Sequence, residues 1–328
     1  QTVSFVQEVF WRGYFKGWLE QRPSVWEHYL IGLDRAREHI SADYADAISG
    51  GTGIVCFDHW CAELVATGYL HNHARMWFAS IWIFTLKLPW RLGADFFLRN
   101  LLDGDPASNT LSWRWVAGLH TRGKPYVAQA GNIARFTEER LTPRAEELAQ
   151  TVSGLEHLEP GGLPECKKPR IPKVPQKHLP TAFLLTEEDC RIEDFAVQEL
   201  MCTTAATLAA SGLRSFRDVA QNVVQFEVGA LADVAQRSGL AVSAMQAGTP
   251  SDLAKWALQS GAQQIVTPYV PVGPLRDWLE RAKPELDAAG VSLTEWRREW
   301  DAMIWPYATA GFFKVKKQIP KFLRTIFV

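Results

Sequence analysis

The sequence predicts a multi-domain α and α/β protein: an all-helical domain, then a Pro/Lys-rich linker, then a small parallel α/β domain. Three observations predict it. Through residues 1–150 apolar side chains recur at steps of three and four, separated by polar turns that carry Gly or Pro. Residues 160–180 (PGGLPECKKPRIPKVPQKHLP) hold six Pro and six Lys, Arg or His, with too little apolar surface to fold alone. From residue 181 short apolar runs alternate with amphipathic helices, the pattern of a parallel sheet covered by helices. A length of 328 residues exceeds one ordinary core, which supports the division. The expected bounds are 1–155 for the helical domain, 156–180 for the linker, 181–310 for the α/β domain and 311–328 for a basic C-terminal tail.

The chain opens without Met and in mid-helix, with Val3, Phe5, Val6, Val9 and Phe10 on one face. It reads as lacking its natural N-terminus, and no basic-then-apolar signal segment opens it. Residues 55–70 and 72–88 read as two helices broken by Gly68. The second is apolar nearly all round, as a central bundle helix is, and Pro89 ends it. Residues 93–102 form a further helix, and 103–110 (DGDPASNT) a loop in which Pro106 suits a first helical turn. In the α/β part, strands are expected at 181–186, 240–245, 263–268 and 290–295. Helices are expected there at about 226–237, 251–260 and 273–288. No GxGxxG or Walker loop occurs, which leaves nucleotide binding in this part unsupported. The stretch 312–324 (FFKVKKQIPKFLR) sets four Lys and one Arg beside aromatics, readable either as a solvated end or as a phosphate-facing patch.

Composition narrows the function classes. Hydrophobic residues make up 47% of the chain and charged residues 22%, which excludes wholesale disorder. The net charge of −1 gives no sign of a polyanion partner, so any nucleic-acid surface must be local. Five Cys without a CxxC pair argue against a disulfide framework or a zinc site. No metal is expected, and a reducing, cytoplasmic compartment suits the composition. The most apolar stretch, Trp77 to Trp90, contains Lys87 and is too short to span a bilayer, so no membrane partner is expected. The 14 Trp are unusual in number and place: nine lie in residues 1–115 and five in 256–305.

Chemistry concentrates between Thr52 and Trp115. This block packs His71, Asn72, His73, Arg75, Asp103, Asp105 and Asn109 among aromatics. Helical spacing puts Asn72, Arg75 and Met76 on one face. Such polar groups inside a Trp-lined bundle must pair or bind something polar, since each left unpaired costs about 1–3 kcal/mol. A flat heteroaromatic ligand with imide and ring-nitrogen groups suits them.

The block resembles the flavin-binding helical domain of the photolyase/cryptochrome family. The resemblance is carried by Thr52-Gly53, Asp58, Thr67-Gly68-Tyr69, His71-Asn72, Arg75-Met76, Ala79-Ser80, Trp90, Gly93, Asp103-Gly104-Asp105, Ala107, Asn109, Trp113 and Trp115. Upstream, FVQEVFWRGYF (5–15) resembles the helix that precedes this run, and the match covers about the first 120 residues. It implies an FAD cofactor bound by Tyr69, Asn72, Arg75, Asp103, Asp105 and Asn109. Arg75 and Asp103 look like the ion pair beside the flavin's reactive edge, and Asp105 like a partner near the imide. Asn109 looks like the amide facing ring nitrogen N5. An amide there can accept from a protonated N5 or donate to an unprotonated one, whereas a carboxylate would repel the charge of reduced flavin. Trp113 and Trp90 fall on the inner and middle positions of the family's electron-transfer tryptophan chain. The outer Trp is absent from residues 35–47, with Tyr44, Trp82 and Trp60 as alternatives.

The resemblance also implies a partner, DNA containing pyrimidine dimers. Glu8, Trp11, Arg12, Asn72, Met76 and Trp115 fall where photolyases hold a flipped dimer: Trp11 and Trp115 as apolar and stacking walls, Glu8 on the base edge, Arg12 toward phosphate. His73 stands where many members have Arg. The implied activity is that of a deoxyribodipyrimidine photo-lyase, a carbon–carbon lyase in which photoexcited reduced FAD lends an electron to the dimer. Asn109, Glu8, Trp113 and Trp90 are expected to carry it. The alternative implied is a cryptochrome-like blue-light photoreceptor without repair activity. Two departures stand out: the Ser/Thr-rich phosphate-cradling segment does not precede the block, and an α/β unit follows the helices instead of preceding them. FLLTEEDCRIEDF (183–195) faintly echoes the opening of the family's antenna domain, and no antenna chromophore is expected.

Overall fold

Two separate cores arise from the two periodicities. The computed structural model describes residues 2–38 and 40–326. One compact unit is Arg22–Cys166; the other joins the N-terminal helix, up to Gln21, to the chain from Lys167 onward. The N-terminal helix α1 (Thr2–Glu20) is therefore counted with the α/β unit, whereas the apolar pattern groups it with the helices that follow in sequence.

The helical unit contains α2 (Ser24–Arg37), α3 (Ala42–Ser49), α4 (Val55–Thr67), α5 (Asn72–Ser80), α6 (Trp90–Asn100), α7 (Pro106–Val116) and α8 (Ala130–Phe136). Local chemistry sets its boundaries. Asp58, in the first turn of α4, accepts from Thr52 N (3.0 Å), Thr52 Oγ1 (2.7 Å) and Gly53 N (2.9 Å). The Thr52-Gly53…Asp58 motif is thus a structural clamp on the turn into α4. Gly68 closes α4 in the left-handed region (φ 69°), its N–H bonding Leu64 O at 2.8 Å, a conformation that side-chain-bearing residues avoid.

The helix expected over 72–88 is instead α5 followed by a π-helical turn at Ile81–Thr85. Trp82 sits in that turn with no exposed surface. Such single π turns occur inside or at the end of α-helices, frequently at functional sites. Pro89 then caps α6, which starts at Trp90, three residues before the expected helix. Nine of its residues are buried, so α6 shares the central position that the sequence pattern gives to 72–88. Pro106 is the first residue of α7, and Asp105 is its N-cap, accepting from Ser108 N at 2.7 Å. The loop expected over 103–110 therefore shrinks to its first residues, and Asn109 stands on the first turn of a helix.

In the second unit a five-stranded parallel sheet has the order β3-β2-β1-β4-β5. The strands are β1 (Pro180–Thr186), β2 (Met201–Ala209), β3 (Val242–Gln246), β4 (Gln264–Pro268) and β5 (Ser292–Trp296). Between them run α9 (Gln221–Ser238), α10 (Ser251–Gln259) and α11 (Pro274–Ala288). Side chains alternate between faces as the pleat requires. Ala182 and Leu184 join Leu253, Trp278 and Leu279 of α10 and α11, while Phe183 and Leu185 join Leu231 and Val234 of α9. β2 is the strand the pattern misses, because its MCTTAATLA run is rich in Ala and short on large apolar residues. Burial between two neighbours decides it instead.

The last elements are α12 (Glu299–Ile304), α13 (Phe313–Lys316) and α14 (Ile319–Ile326). The stretch expected as a tail is therefore folded, with Phe312, Val315, Ile319 and Phe322 buried. The linker segment near Lys173 has no helix or strand, yet it is held to the sheet. Glu295 N donates to Lys173 O (2.9 Å), Gln176 N donates to Gln264 Oε1 (3.0 Å), and Arg170 pairs with Glu295.

α1 joins this unit by close approach and by charge. A Cβ on Gly17 would lie 2.4 Å from Trp305 Cδ1, so only glycine allows the helix that near. Buried Glu20 accepts from Val272 N at 2.6 Å and from Tyr269 Oη, both just past β4, and burial raises its pKa. Strand order reverses between β1 and β4, and the carboxyl ends of strands at such a reversal are where open α/β sheets commonly take ligands. Here the chain's own Glu20 lies just beyond the carboxyl end of β4.

Candidate functional site

Three neighbouring elements of the helical unit present the expected flavin residues: the start of α5, the turn Leu101–Asp105 and the first turn of α7. Leu102 N bonds Gly68 O at 2.9 Å, which fixes the turn against the entry to α5. Arg75 and Asp103 form a two-pronged pair, with both N···O distances 3.1 Å. Arg75 Nε donates to Leu70 O at 2.8 Å, so the guanidinium is held at both ends. Its Cζ lies 5.6 Å from the ring centre of Tyr69, which is 53% exposed. The two charged side chains are 25% and 48% exposed, leaving a cation and an aromatic face accessible. Asn72 is exposed on the first turn of α5, and His71 caps that helix by accepting from His73 N at 3.3 Å.

Asn109 is buried and oriented. Its Nδ2 donates to Ala94 O on α6 at 2.7 Å. Among the described residues no donor reaches its Oδ1, so the amide offers an acceptor. That end suits a protonated ring nitrogen, the state of a reduced flavin's N5. The sequence leaves the orientation of this amide open; the bond to the Ala94 carbonyl sets it, and a backbone atom leaves no trace in sequence. Polar, half-exposed side chains around an oriented buried amide fit the isoalloxazine edge of FAD, with Asp105, buried as a helix cap, beside them.

The indoles are arranged in two branches. Trp113 meets Trp82 edge-on at 6.1 Å, and Trp82 meets Tyr44 edge-on at 5.9 Å. Trp90 instead meets Tyr29 at 5.7 Å, and Tyr29 stacks near Trp26 at 5.1 Å. Among the described residues Trp113 and Trp90 share no ring contact. Gly93 makes the first branch possible: a Cβ there would lie 2.3 Å from Trp113 Cη2 and 2.9 Å from Trp82 Cε2. Of the alternatives for the outer member, Trp82 and Tyr44 are in ring contact with this network, while Trp60 stacks on Trp77 at 5.5 Å.

The residues expected to face DNA lie in both units. Met76 is half-buried on α5, and Trp115 on α7 stacks on Tyr126 at 5.3 Å. Glu8, Trp11 and Arg12 lie on α1, in the other unit; Glu8 is exposed and Trp11 is 36% exposed. Among the described residues no group of three His, Cys, Asp or Glu could hold a metal ion, and no helix is long and apolar enough to cross a membrane.

In the last turn of α7, Arg114 is buried and forms a two-pronged pair with Glu159, its Nη2 at 2.8 Å from Oε2. Burial, then the charges of Arg114 and Arg22, hold the nearby His120 down to about 4. A depressed imidazole stabilises the fold above its ordinary pKa near 6.5, and that contribution is lost as pH falls through about 4. The helical unit should lose about 2–3 kcal/mol over this window. His120→Gln should flatten the step in urea midpoints taken from pH 7 to pH 4, and an equal step in the variant would refute the assignment.

Comparisons with known proteins match the first half of the chain. The family model described as the FAD binding domain of DNA photolyase matches residues 5–159. The deoxyribodipyrimidine photo-lyase of Streptomyces griseus is 40% identical over 123 residues, 37% of this chain and 27% of that protein. Its namesake in Escherichia coli K12 is 31% identical over 125 residues, 37% of this chain and 26% of that one. The Thermus thermophilus protein of the same name is 34% identical over 128 residues, 37% of this chain and 30% of that one. The matched region thus spans between a quarter and a third of the length of these curated relatives. No solved structure matches the chain.

Proposed function

Residues 5–159 belong to the photolyase/cryptochrome family as its FAD-binding domain, and from that premise we propose that the protein repairs pyrimidine dimers in DNA by light-driven electron transfer. The observation that carries this reading is Asn109, held by Ala94 with its acceptor end free, beside the Arg75–Asp103 pair. FAD, when bound, supplies the photoexcited electron. The chain's own residues prepare its surroundings. Arg75, oriented by Asp103 and Leu70 O, would supply a cation to stabilise negative charge on the reduced group. Asn109 Oδ1 would accept a hydrogen bond from a protonated ring nitrogen, and Asn72, Asp105 and Tyr69 would hold the remaining polar and aromatic edges. Glu8, Trp11 and Arg12 on α1, and Met76 and Trp115 on the helical unit, are the residues proposed to contact the lesion and its strand. Trp113 and Trp90 are proposed to pass electrons inward.

The test uses the full chain loaded with reduced FAD and an oligonucleotide bearing a defined dimer. Light-dependent loss of the dimer is expected. In Asn109→Asp a carboxylate would oppose both Ala94 O and a reduced flavin, and repair should fall at least about tenfold, roughly 1.4 kcal/mol in the barrier. Absence of repair by the reduced, loaded protein refutes the reading. Photoreduction without any preference for damaged DNA would favour the photoreceptor alternative, which the appended α/β unit supports.

A further inference from the structure

Two features that stand far apart in sequence, Trp11 and the basic stretch 312–324, come together in the unit that contains both. Trp11 lies face to face with Phe312, ring centroids 3.9 Å apart and planes 15° from parallel. Tyr14 meets the same Phe312 edge-on at 5.6 Å. Further along, Phe322 stacks on Phe10 of α1 at 5.8 Å and meets Tyr307 at 5.6 Å. The apolar stripe Phe312, Val315, Ile319 and Phe322 is thereby buried against the unit's own aromatics. The intervening side chains Lys314, Lys316, Lys317, Lys321 and Arg324 are exposed. Among the described residues none of these five has a carboxylate partner; Lys314 donates to the neutral Thr309 Oγ1 at 3.1 Å.

We infer that the 312–324 segment, which packs on α1 and itself lies outside the matched FAD-binding region, binds the phosphate backbone of DNA. The inference rests on the DNA reading above and adds a contact surface to it. Five cations without an acid within one short segment are a strong local field in a chain of net charge −1. A DNA strand offers one negative charge per about 3.4 Å, which a row of lysines can follow. Phe313, 73% exposed among these cations, adds a flat face on which an unpaired base can stack. A lipid surface fits less well. An amphipathic basic helix inserts by its apolar side, and here that side is already packed against Phe10 and Tyr307. The Trp11–Phe312 stack places the basic row two residues of chain from an indole proposed to contact the lesion, so the same strand can touch both.

The experiment measures binding of a labelled oligonucleotide, irradiated and unirradiated, by the full chain between about 50 and 200 mM salt. The comparison is a variant carrying Lys314→Gln, Lys316→Gln, Lys317→Gln and Lys321→Gln. All four side chains are exposed, and an unchanged thermal transition verifies folding. The slope of log K against log salt should fall by about three, at roughly 0.7–0.9 for each of the four lost phosphate contacts. Affinity at low salt should drop at least about tenfold, equally for both DNAs, because phosphates carry no lesion information. An unchanged slope in the folded variant overturns the inference. So does a loss confined to vesicles of anionic phospholipid with DNA binding intact. A falling slope without lesion preference in the parent leaves this surface standing and removes the repair reading. Lesion preference with an unchanged slope does the reverse, and no affinity of the parent for DNA removes both.

Discussion

Gly93→Ala is expected to destabilise the helical unit by about 2 kcal/mol, although alanine normally favours a helix over glycine by about 1 kcal/mol. The reason is local. The added methyl would lie 2.3 Å from Cη2 and 2.6 Å from Cζ3 of Trp113, and 2.9 Å from Cε2 of Trp82. Both indoles are rigid and buried, so the overlap must be relieved by moving rings or helix axes, a cost of about 1–3 kcal/mol and more when the clash is against rings. A loss of that size lowers the thermal midpoint by roughly 6 °C in a unit of this length. Gly131→Ala supplies the control. It stands on α8 with nothing within 4 Å of the added atom, and it should be neutral or stabilising. Equal stabilities for the Gly93 variant and the parent would mean that the Trp113–Trp82 contact is looser than 6.1 Å implies. Near-ultraviolet circular dichroism adds a second readout, because it responds to how the two indoles sit against each other.

A larger loss is expected from Glu295→Ala, about 3–5 kcal/mol in the α/β unit. Glu295 is 4% exposed and accepts from Arg170, Arg276 and Val270 N (3.0 Å). Removing the carboxylate leaves the buried guanidinium of Arg276 with only Val270 O and a half-exposed Glu280, and it strips a partner from a buried backbone N–H. Breaking a buried pair from one side is far more damaging than its net worth suggests, because the remaining charge cannot be rehydrated. Glu295→Gln retains an acceptor and the side-chain volume, and it should lose distinctly less than the alanine variant. Urea unfolding followed by the α/β unit's signal checks both. Equal midpoints for the parent and Glu295→Ala would show that the network contributes nothing. The loss should also reach α1, since Val270 borders Tyr269 and Val272, which hold Glu20.

Most elements of the fold were legible because they rest on local rules. Gly68 ends α4 and Pro106 begins α7 at the positions their backbone preferences dictate. Four of the five strands follow runs of apolar residues. What failed to show in sequence depends on partners distant in the chain. β2 is a strand because β1 and β3 hydrogen-bond on either side of it, not because Ala and Thr demand one. The π turn at Ile81–Thr85 carries Trp82 fully buried among Phe96 and Trp113, partners distant in the chain. The basic segment looks like a solvated tail until Phe10, Trp11 and Tyr307 give its apolar stripe somewhere to lie.

The candidate site divides in the same way. The side chains Asn72, Arg75, Asp103, Asp105 and Asn109 can be picked from their spacing and chemical type, since a polar set between aromatics must be answered by a partner. Sequence spacing and residue type alone were therefore enough to single out this polar set and its resemblance to a flavin-binding helical domain. Only the tertiary structure decided which end of the Asn109 amide remains available, which indole Trp113 touches, and that α1 is secured by Glu20 and Gly17 to the unit built from the chain's second half. Those outcomes turn on backbone carbonyls and on approaches closer than a methyl group. Neither is encoded in the identity of a neighbouring residue, and both appear only when the helices are packed.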